Sequence, residues 1–404
     1  MFSFFKKLDK HSRSIILICY FSFFCNGAFS LIIGSAMPDL KAAYGISDTA
    51  SGLLLSAHSI GNLIAGFVSA LIPLFLGERK AIMALSSLAV IGFVMMILWG
   101  NPVWLFLAFI LTGFTRGSVT NFDNRTINRI TDGSGSAANC LHASFALGAI
   151  LSPMIFLGLS RAISWRAALL SMVVFLCISI FNLSRMRLDN EYPDRKDKAN
   201  RSFVFLRNPS YLILMFMLFC YVCSEYAING WLVTYIQNKE ELLVSFGKSG
   251  EELELAVKAY SQTMATLFWV LMLTGRLACA ALTVRISEKK LLLICSVGVM
   301  GFFLMMLLSS TVPTVSIAVS ALGLCMAGMS PMIYADSAGF SNKYPMAVSG
   351  LIVFSSFGSI LMNTVIGILS DHFGFQGGMS AITVTVVLLV VFSLLNVVVK
   401  PKEP

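Results

Sequence analysis

Charge is what this sequence has least of. Only 12% of its 404 residues are Asp, Glu, Lys or Arg, against roughly 25% in a soluble globular domain. Together with 57% hydrophobic residues and a mean hydropathy of +0.82, that scarcity excludes a soluble enzyme and leaves a polytopic membrane protein. Cysteine is missing from the loops: all nine cysteines fall inside apolar runs, so no disulfide framework is expected. Cys220-x-x-Cys223 has the spacing of a metal or redox pair but no second ligand pair, and reads as packing. The chain has no Gly-rich phosphate loop, which excludes a self-contained ATP-driven pump. It has no metal-ligand spacing and no Ser/His/Asp set outside the apolar runs, so neither an enzyme site nor a cofactor or metal is expected. The first apolar run, from Ser14 to about Met37, lacks a convincing cleavage site and reads as a span, not a signal peptide.

What the chain does have is apolar length. About 20 such residues cross a bilayer, and that rule predicts twelve spans, six near 14–37, 50–75, 81–100, 102–127, 138–160 and 166–183. The other six fall near 209–236, 258–282, 291–310, 314–338, 346–369 and 378–399. Lys41, Arg161, Arg166, Lys239, Lys248 and Lys258 are the only Lys or Arg in the loops of one side, against 21 of the 29 on the other. The positive-inside rule therefore puts both termini in the cytoplasm, and the plasma membrane is the expected location. The net charge of +9 belongs to this bias and gives no support to a nucleic-acid partner.

The dense charge of 184–208 divides the chain into an N-terminal six-helix half (1–183), a solvated cytoplasmic linker with room for a short surface helix, and a C-terminal half (209–404). A weak internal repeat supports two halves. Residues 148–160, GAILSPMIFLGLS, align without gaps on 358–370, GSILMNTVIGILS, and GERKA (77–81) meets SEKKL (287–291) in the same register. The expected fold is all-α, with twelve transmembrane helices in two pseudo-symmetric halves, and the likeness of the halves is that of transporters built from repeats. The loop 237–260 is longer than its neighbours. Ser249-Gly-Glu-Glu252 in it reads as a capping box, so the eighth helix should start near Gly250.

Against this background the stretch Gly113–Pro153 stands out. It carries Arg116, Asn121, Asp123, Asn124, Asn128, Asn139 and His142 across two consecutive spans. A charge at the bilayer centre costs roughly 2.5–3.5 kcal/mol on insertion scales, so such groups face a partner or water, and the cluster reads as the wall of a pathway.

Three stretches in and beyond this cluster carry a resemblance. They are Asn124-x-x-x-Asn128; Asn139-Cys-Leu-His142 followed by Phe145-Ala-Leu-Gly148-Ala; and Tyr221-x-x-x-Glu225-x-x-x-Asn229-Gly230-Trp231. With Gly275-Arg276 and Gly367-x-x-x-Asp371-x-x-Gly374, they make the chain similar to the major facilitator superfamily, and within it to the fucose:proton symporter family of sugar carriers. The resemblance implies the major facilitator fold and transport of a sugar-like solute by two halves rocking about a central cavity, with protons as a candidate coupling ion. The chain departs from the pattern at three places. The loop Pro73-Leu-Phe-Leu-Gly77-Glu-Arg79-Lys80 has no Asp where the superfamily has one, Asn124 stands where the family has an acid with Asp123 displaced by one, and span one offers Asn26 with no carboxylate.

Binding hydroxyls needs hydrogen-bond donors and acceptors together with an aromatic face. The candidates are Asn26, Asn62, Arg116, Asn121, Asn124, Asn139, His142, Asn229, Gln262 and Asn363, with Trp231 and Trp269 as platforms. Asn62, Gln262 and Asn363 serve equally well as bonds between helices. Arg116 near mid-span needs an acid, carbonyls, water or an anionic solute, so a sugar acid is an alternative to a neutral sugar. Glu225 is the best-placed proton carrier, one turn from Asn229, with Asp123 second. Arg276 and Asp336 read as snorkelling or paired, His58 as packing, and Trp99 and Trp104 as interface belt. The rival readings are an efflux pump for amphipathic compounds and a non-transporting sensor. A single chain in a lipid bilayer, binding a small solute, is the expected assembly.

Overall fold

A computed structural model describes residues 8–69, 71–131, 134–186, 204–283, 285–344 and 346–399. Twelve long helices organise it. The first six are α1 (Lys10–Tyr44), α2 (Asp48–Val68), α3 (Glu78–Leu98), α4 (Pro102–Ile130), α5 (Gly135–Ala162) and α6 (Trp165–Ser184). The second six are α7 (Pro209–Gln237), α8 (Gly250–Leu282), α9 (Glu288–Leu308), α10 (Val312–Met326), α11 (Met346–Ser380) and α12 (Ile382–Val398). Two short helices, Met329–Asp336 and Ala338–Lys343, continue the line of α10. Among the described residues, eleven stretches are long and apolar enough to cross a membrane, and the last of them, Met346–Val398, contains α11 and α12 together. The break between those two is at Gly374 (φ 71°, ψ 171°), inside the range of α11. The chain is a multi-pass membrane protein.

The apolar runs choose the helices, and short polar residues end them. Asp9 caps α1, accepting from the His11 amide at 2.9 Å, and Gly45 stops it in the left-handed region. Ser47 then caps α2. Asn101-Pro102 and Asn208-Pro209 start α4 and α7 alike: the Asn side chain accepts from the second amide of the helix, and proline fills a position whose N–H would be orphaned.

Several of these expectations need correction. α2 ends at Val68, not near 75, and Pro73–Leu76 is a separate turn of helix, because Pro73 cannot continue the hydrogen-bond ladder. The helix at Gly250 starts as expected, but the Ser249 side chain makes no cap bond, and Glu252 pairs with Lys248 at 2.6 Å. The long loop contains the helix Glu240–Val244, anchored by buried Leu242. The surface helix expected in the linker falls on 187–203, outside the described residues. The linker's end is not solvated: Phe205 is buried against Tyr211 and Tyr344, at ring distances of 4.8 and 5.8 Å.

The chain forms two compact units, Met1–Glu191 and Tyr192–Pro404. In the first, α2 and α3 pack on α4, α5 and α6 pack on α1, and α3 packs on α6. The second repeats the scheme helix for helix, with α8 and α9 on α10, α11 and α12 on α7, and α9 on α12. Two glycine pairs show how closely. Gly148 and Gly358, matched in the sequence repeat, sit where the fifth helix of each unit crosses the first. A Cβ there would run into the Phe24 carbonyl in one unit and come within 2.9 Å of the Phe219 carbonyl in the other. Gly113 and Gly323, also 210 residues apart, press against the carbonyls of His58 and Phe268 where the fourth helix crosses the second. Small residues let membrane helices approach to backbone contact.

Candidate functional site

Unit 1 gathers much of the polar cluster onto one strip built from α1, α4 and α5. Arg116 of α4 lies over the ring of Phe145 of α5, with its guanidinium carbon 5.9 Å from the centroid. Phe145 packs on Phe23 of α1 at 5.6 Å, and Phe23 meets the His142 ring edge-on at 5.4 Å. The half-buried ring of this unit is thus Phe145, packed on Phe23, which is itself fully buried. Phe145 was visible in the sequence only as a motif letter, and the two helices that pair it with Phe23 are not adjacent in the chain. His142 and Asn139 are exposed, and Arg116 and Asn124 half-buried. Asn124 donates to the Thr120 carbonyl of its own helix at 2.8 Å, which leaves its oxygen available.

Asn26 has a different task. It is fully buried, and its Nδ2 donates to the Arg116 carbonyl (3.3 Å) and to Thr120 Oγ1 (3.1 Å), strapping α1 to α4 directly behind Arg116. Asn121 donates to Ser69 Oγ at 3.0 Å and clasps α4 to the end of α2. Asn62 lies over Gly117 at the same crossing. Asp123 is wholly buried, with Cys19 and Ser22 of α1 its polar neighbours and no hydrogen bond of ordinary geometry to either oxygen. His58 bonds Thr112 at 3.0 Å.

Unit 2 places Glu225 half-buried on α7, within hydrogen-bonding reach of Tyr221 and in the electrostatic field shared by Tyr226, Tyr334 and Arg276. Arg276 also contacts Met272 Sδ. Asn229 accepts from the indole Nε1 of Trp269 at 3.1 Å, which joins α7 to α8. Trp231 is fully buried and packs against Phe375 at 5.9 Å, so in this conformation it fills the unit's interior and presents no open face. Gln262, Trp269 and Asn363 are buried too, Asn363 donating to the Ser359 carbonyl of its own helix. Asp336 accepts from Asn396 at 2.6 Å.

Sequence reading missed one charged site. Glu78, at the start of α3 and almost fully buried, pairs with Arg129 at 3.1 Å and Arg125 at 3.5 Å, both from the end of α4. The two arginines count only as loop charge in the sequence. The signal available was their spacing of four, which puts both on one helix face.

Comparison with known proteins fits this architecture. The Major Facilitator Superfamily model matches residues 19–250 and 241–404, so the chain belongs to that superfamily and is a transporter, not an enzyme. Among solved structures it is similar to the nucleoside transporter NupG, with TM-score 0.73 and 15% identity over 97% of this chain and 100% of that one. It is also similar to a bacterial homolog of the human lysosomal transporter Spinster, with TM-score 0.73 and 14% identity over 96% and 97%. A variant of the Escherichia coli fucose:proton symporter FucP superposes at TM-score 0.62 and 16% identity over 96% and 99%. These likenesses show the fold. A curated relative, an uncharacterized MFS-type transporter of Yersinia pestis, is 24% identical over 170 residues, which span 41% of this chain and 44% of that protein.

Proposed function

We propose that the protein is a secondary carrier for a sugar or related hydroxylated solute in the plasma membrane, with cytoplasmic termini, working as a monomer. The observation that carries this reading is the strip of Arg116, Phe145, Phe23 and His142, with Asn124 and Asn139 beside it. It combines an aromatic face with charged and neutral hydrogen-bonding groups on accessible positions of membrane helices. Such groups do not face hydrocarbon without cost, so an aqueous pathway is their natural environment. Fucose and nucleoside carriers among the structural relatives move solutes that bear ring hydroxyls, which is consistent with this class. Proton coupling through Glu225, with Asp123 as a second carboxyl, is part of the proposal.

An anionic solute is the second reading, and Arg116 favours it, since a guanidinium over an aromatic ring suits a carboxylate or phosphate. A thermal-shift screen of neutral sugars, nucleosides and sugar acids on purified protein tests both. Stabilisation by a hydroxylated ring compound is expected. Stabilisation only by amphipathic cations would replace the proposal with an efflux pump.

A further inference from the structure

The ends of α3 and α9 are held by the same three-part arrangement. The last carbonyls of a helix have no partner within it and need donors from elsewhere. In unit 1, Tyr44 at the end of α1 sets its hydroxyl 2.8 Å from the Met96 carbonyl and 3.1 Å from that of Ile97. Arg166, in the first turn of α6, donates Nε to the Ile97 carbonyl at 3.3 Å. In unit 2, Lys239, just beyond α7, donates Nζ to the Met306 and Leu307 carbonyls at 3.2 and 2.6 Å. Gln376, two residues past the Gly374 break, donates Nε2 to the Leu307 carbonyl at 2.6 Å.

The partners correspond one to one. Met96 and Ile97 precede Met306 and Leu307 by 210 residues, as Arg166 precedes Gln376 and as Ser164, the cap of α6, precedes Gly374. Tyr44 precedes Lys239 by 195, the same interval that separates Phe24 from Phe219 beneath the matched glycines, and the difference of 15 is taken up by the longer loop after α7 together with the earlier start of α8. Chemistry has drifted while position has held: a phenol and a guanidinium in one unit, an ammonium and an amide in the other. Unit 2 closes its version into a ring. Lys239 also donates to Tyr235 Oη at 2.8 Å, and Tyr235 donates to Gln376 Oε1 at 2.8 Å. A buried ammonium is tolerable there because it meets three acceptors at the negative end of a helix.

We propose that these two clasps are one device carried once in each unit, joining its first and third helices to α6 in unit 1 and to the segment past the Gly374 break that leads into α12 in unit 2, at the lysine- and arginine-poor end, in every state of the transport cycle. A contact made equally in both states contributes to stability but does not shift the balance between states. The test is a set of double-mutant cycles read by two measurements. Tyr44→Phe, Arg166→Leu, Lys239→Met and Gln376→Leu are made singly and in pairs in a Cys177→Ser chain, which lacks the exposed cysteine. Melting temperature is one readout. The other is the distance distribution between spin labels on Ile163→Cys and Val244→Cys, both highly exposed positions.

Each single variant is expected to lower the melting temperature by roughly 1–3 °C. The Tyr235 hydroxyl is a third donor to the Leu307 carbonyl at 3.4 Å. In a Tyr235→Phe background, therefore, Lys239→Met with Gln376→Leu should exceed the sum of its parts, because either donor alone then still serves Leu307 and the pair leaves it orphaned. Tyr44→Phe with Arg166→Leu should do the same at Ile97, while Tyr44→Phe with Gln376→Leu, from different units, should add. Label distances should stay as in the parent chain. Additive pairs within a unit would overturn the shared clasp. Distances moved by any clasp variant would show a gate that opens during the cycle. Should Lys239→Met fail to fold, the Tyr44, Arg166 and Gln376 variants still decide both points.

Discussion

A polar side chain in a membrane helix must place its hydrogen bonds somewhere, and where it places them separates the candidates. Asn26 and Asn121 commit their amides to neighbouring helices, and the buried Asn363 bonds its own helix. His142 is exposed, and Asn124 keeps an acceptor after bonding its own helix. Asn124→Ala and His142→Ala should therefore weaken solute binding about tenfold, the worth of ~1.4 kcal/mol of lost hydrogen bonding, with the melting temperature nearly unchanged. Asn26→Ala should do the reverse and lower the melting temperature, because it frees two acceptors behind Arg116. Titrating each variant with the solute found in the thermal screen checks both. Arg116→Lys should also be impaired, because an ammonium does not reproduce the planar fork or its seat over Phe145. Normal uptake by that variant would mean that only charge matters. Sequence could rank these residues by depth but not by direction, since a one-residue turn of a helix redirects a side chain by about 100°. That is why Trp231, aligned with a family motif, lies fully buried while Phe145, packed on buried Phe23, keeps a half-buried ring.

At the scale of helices the decisive residues are small. Gly113 lies where its helix touches the backbone of α2, whereas Gly158 on α5 has open space around its missing Cβ. Gly113→Ala should destabilise by about 1–3 kcal/mol through overpacking. Gly158→Ala should be neutral or stabilise slightly, since alanine favours a helix by up to ~1 kcal/mol over glycine. Melting curves of the two variants compare them directly, and equal losses would contradict the close crossing. Helix existence and most boundaries were legible, because apolar runs of spanning length and Asn-Pro or Gly punctuation are local signals. The crossings were less so. The offset of 210 was readable from 148–160 against 358–370, yet nothing local told that Gly113 and Gly323 shared it, because the residues they touch lie 55 positions earlier in each half. The salt bridges of Glu78 with Arg125 and Arg129 escaped for the same reason.

For the whole molecule, belonging to the Major Facilitator Superfamily settles the class, and energy coupling is the next question. Glu225 sits half-buried on α7, one helical turn from Tyr221. Glu225→Gln keeps shape and hydrogen bonding but removes titration. It should preserve solute exchange across a liposome membrane while abolishing accumulation driven by an imposed pH gradient, and a wild type indifferent to the gradient would remove the proton role altogether. The substrate class is the claim on which the account rests, and counterflow tests it most directly. Liposomes containing the protein are loaded in turn with unlabelled neutral sugars, nucleosides, sugar acids and an amphipathic cation, and entry of the matching labelled compound is followed. The account predicts entry for at least one hydroxylated ring compound, with half-saturation of the His142→Ala protein weakened about tenfold. Counterflow of the amphipathic cation alone, unaffected by His142→Ala, would contradict it.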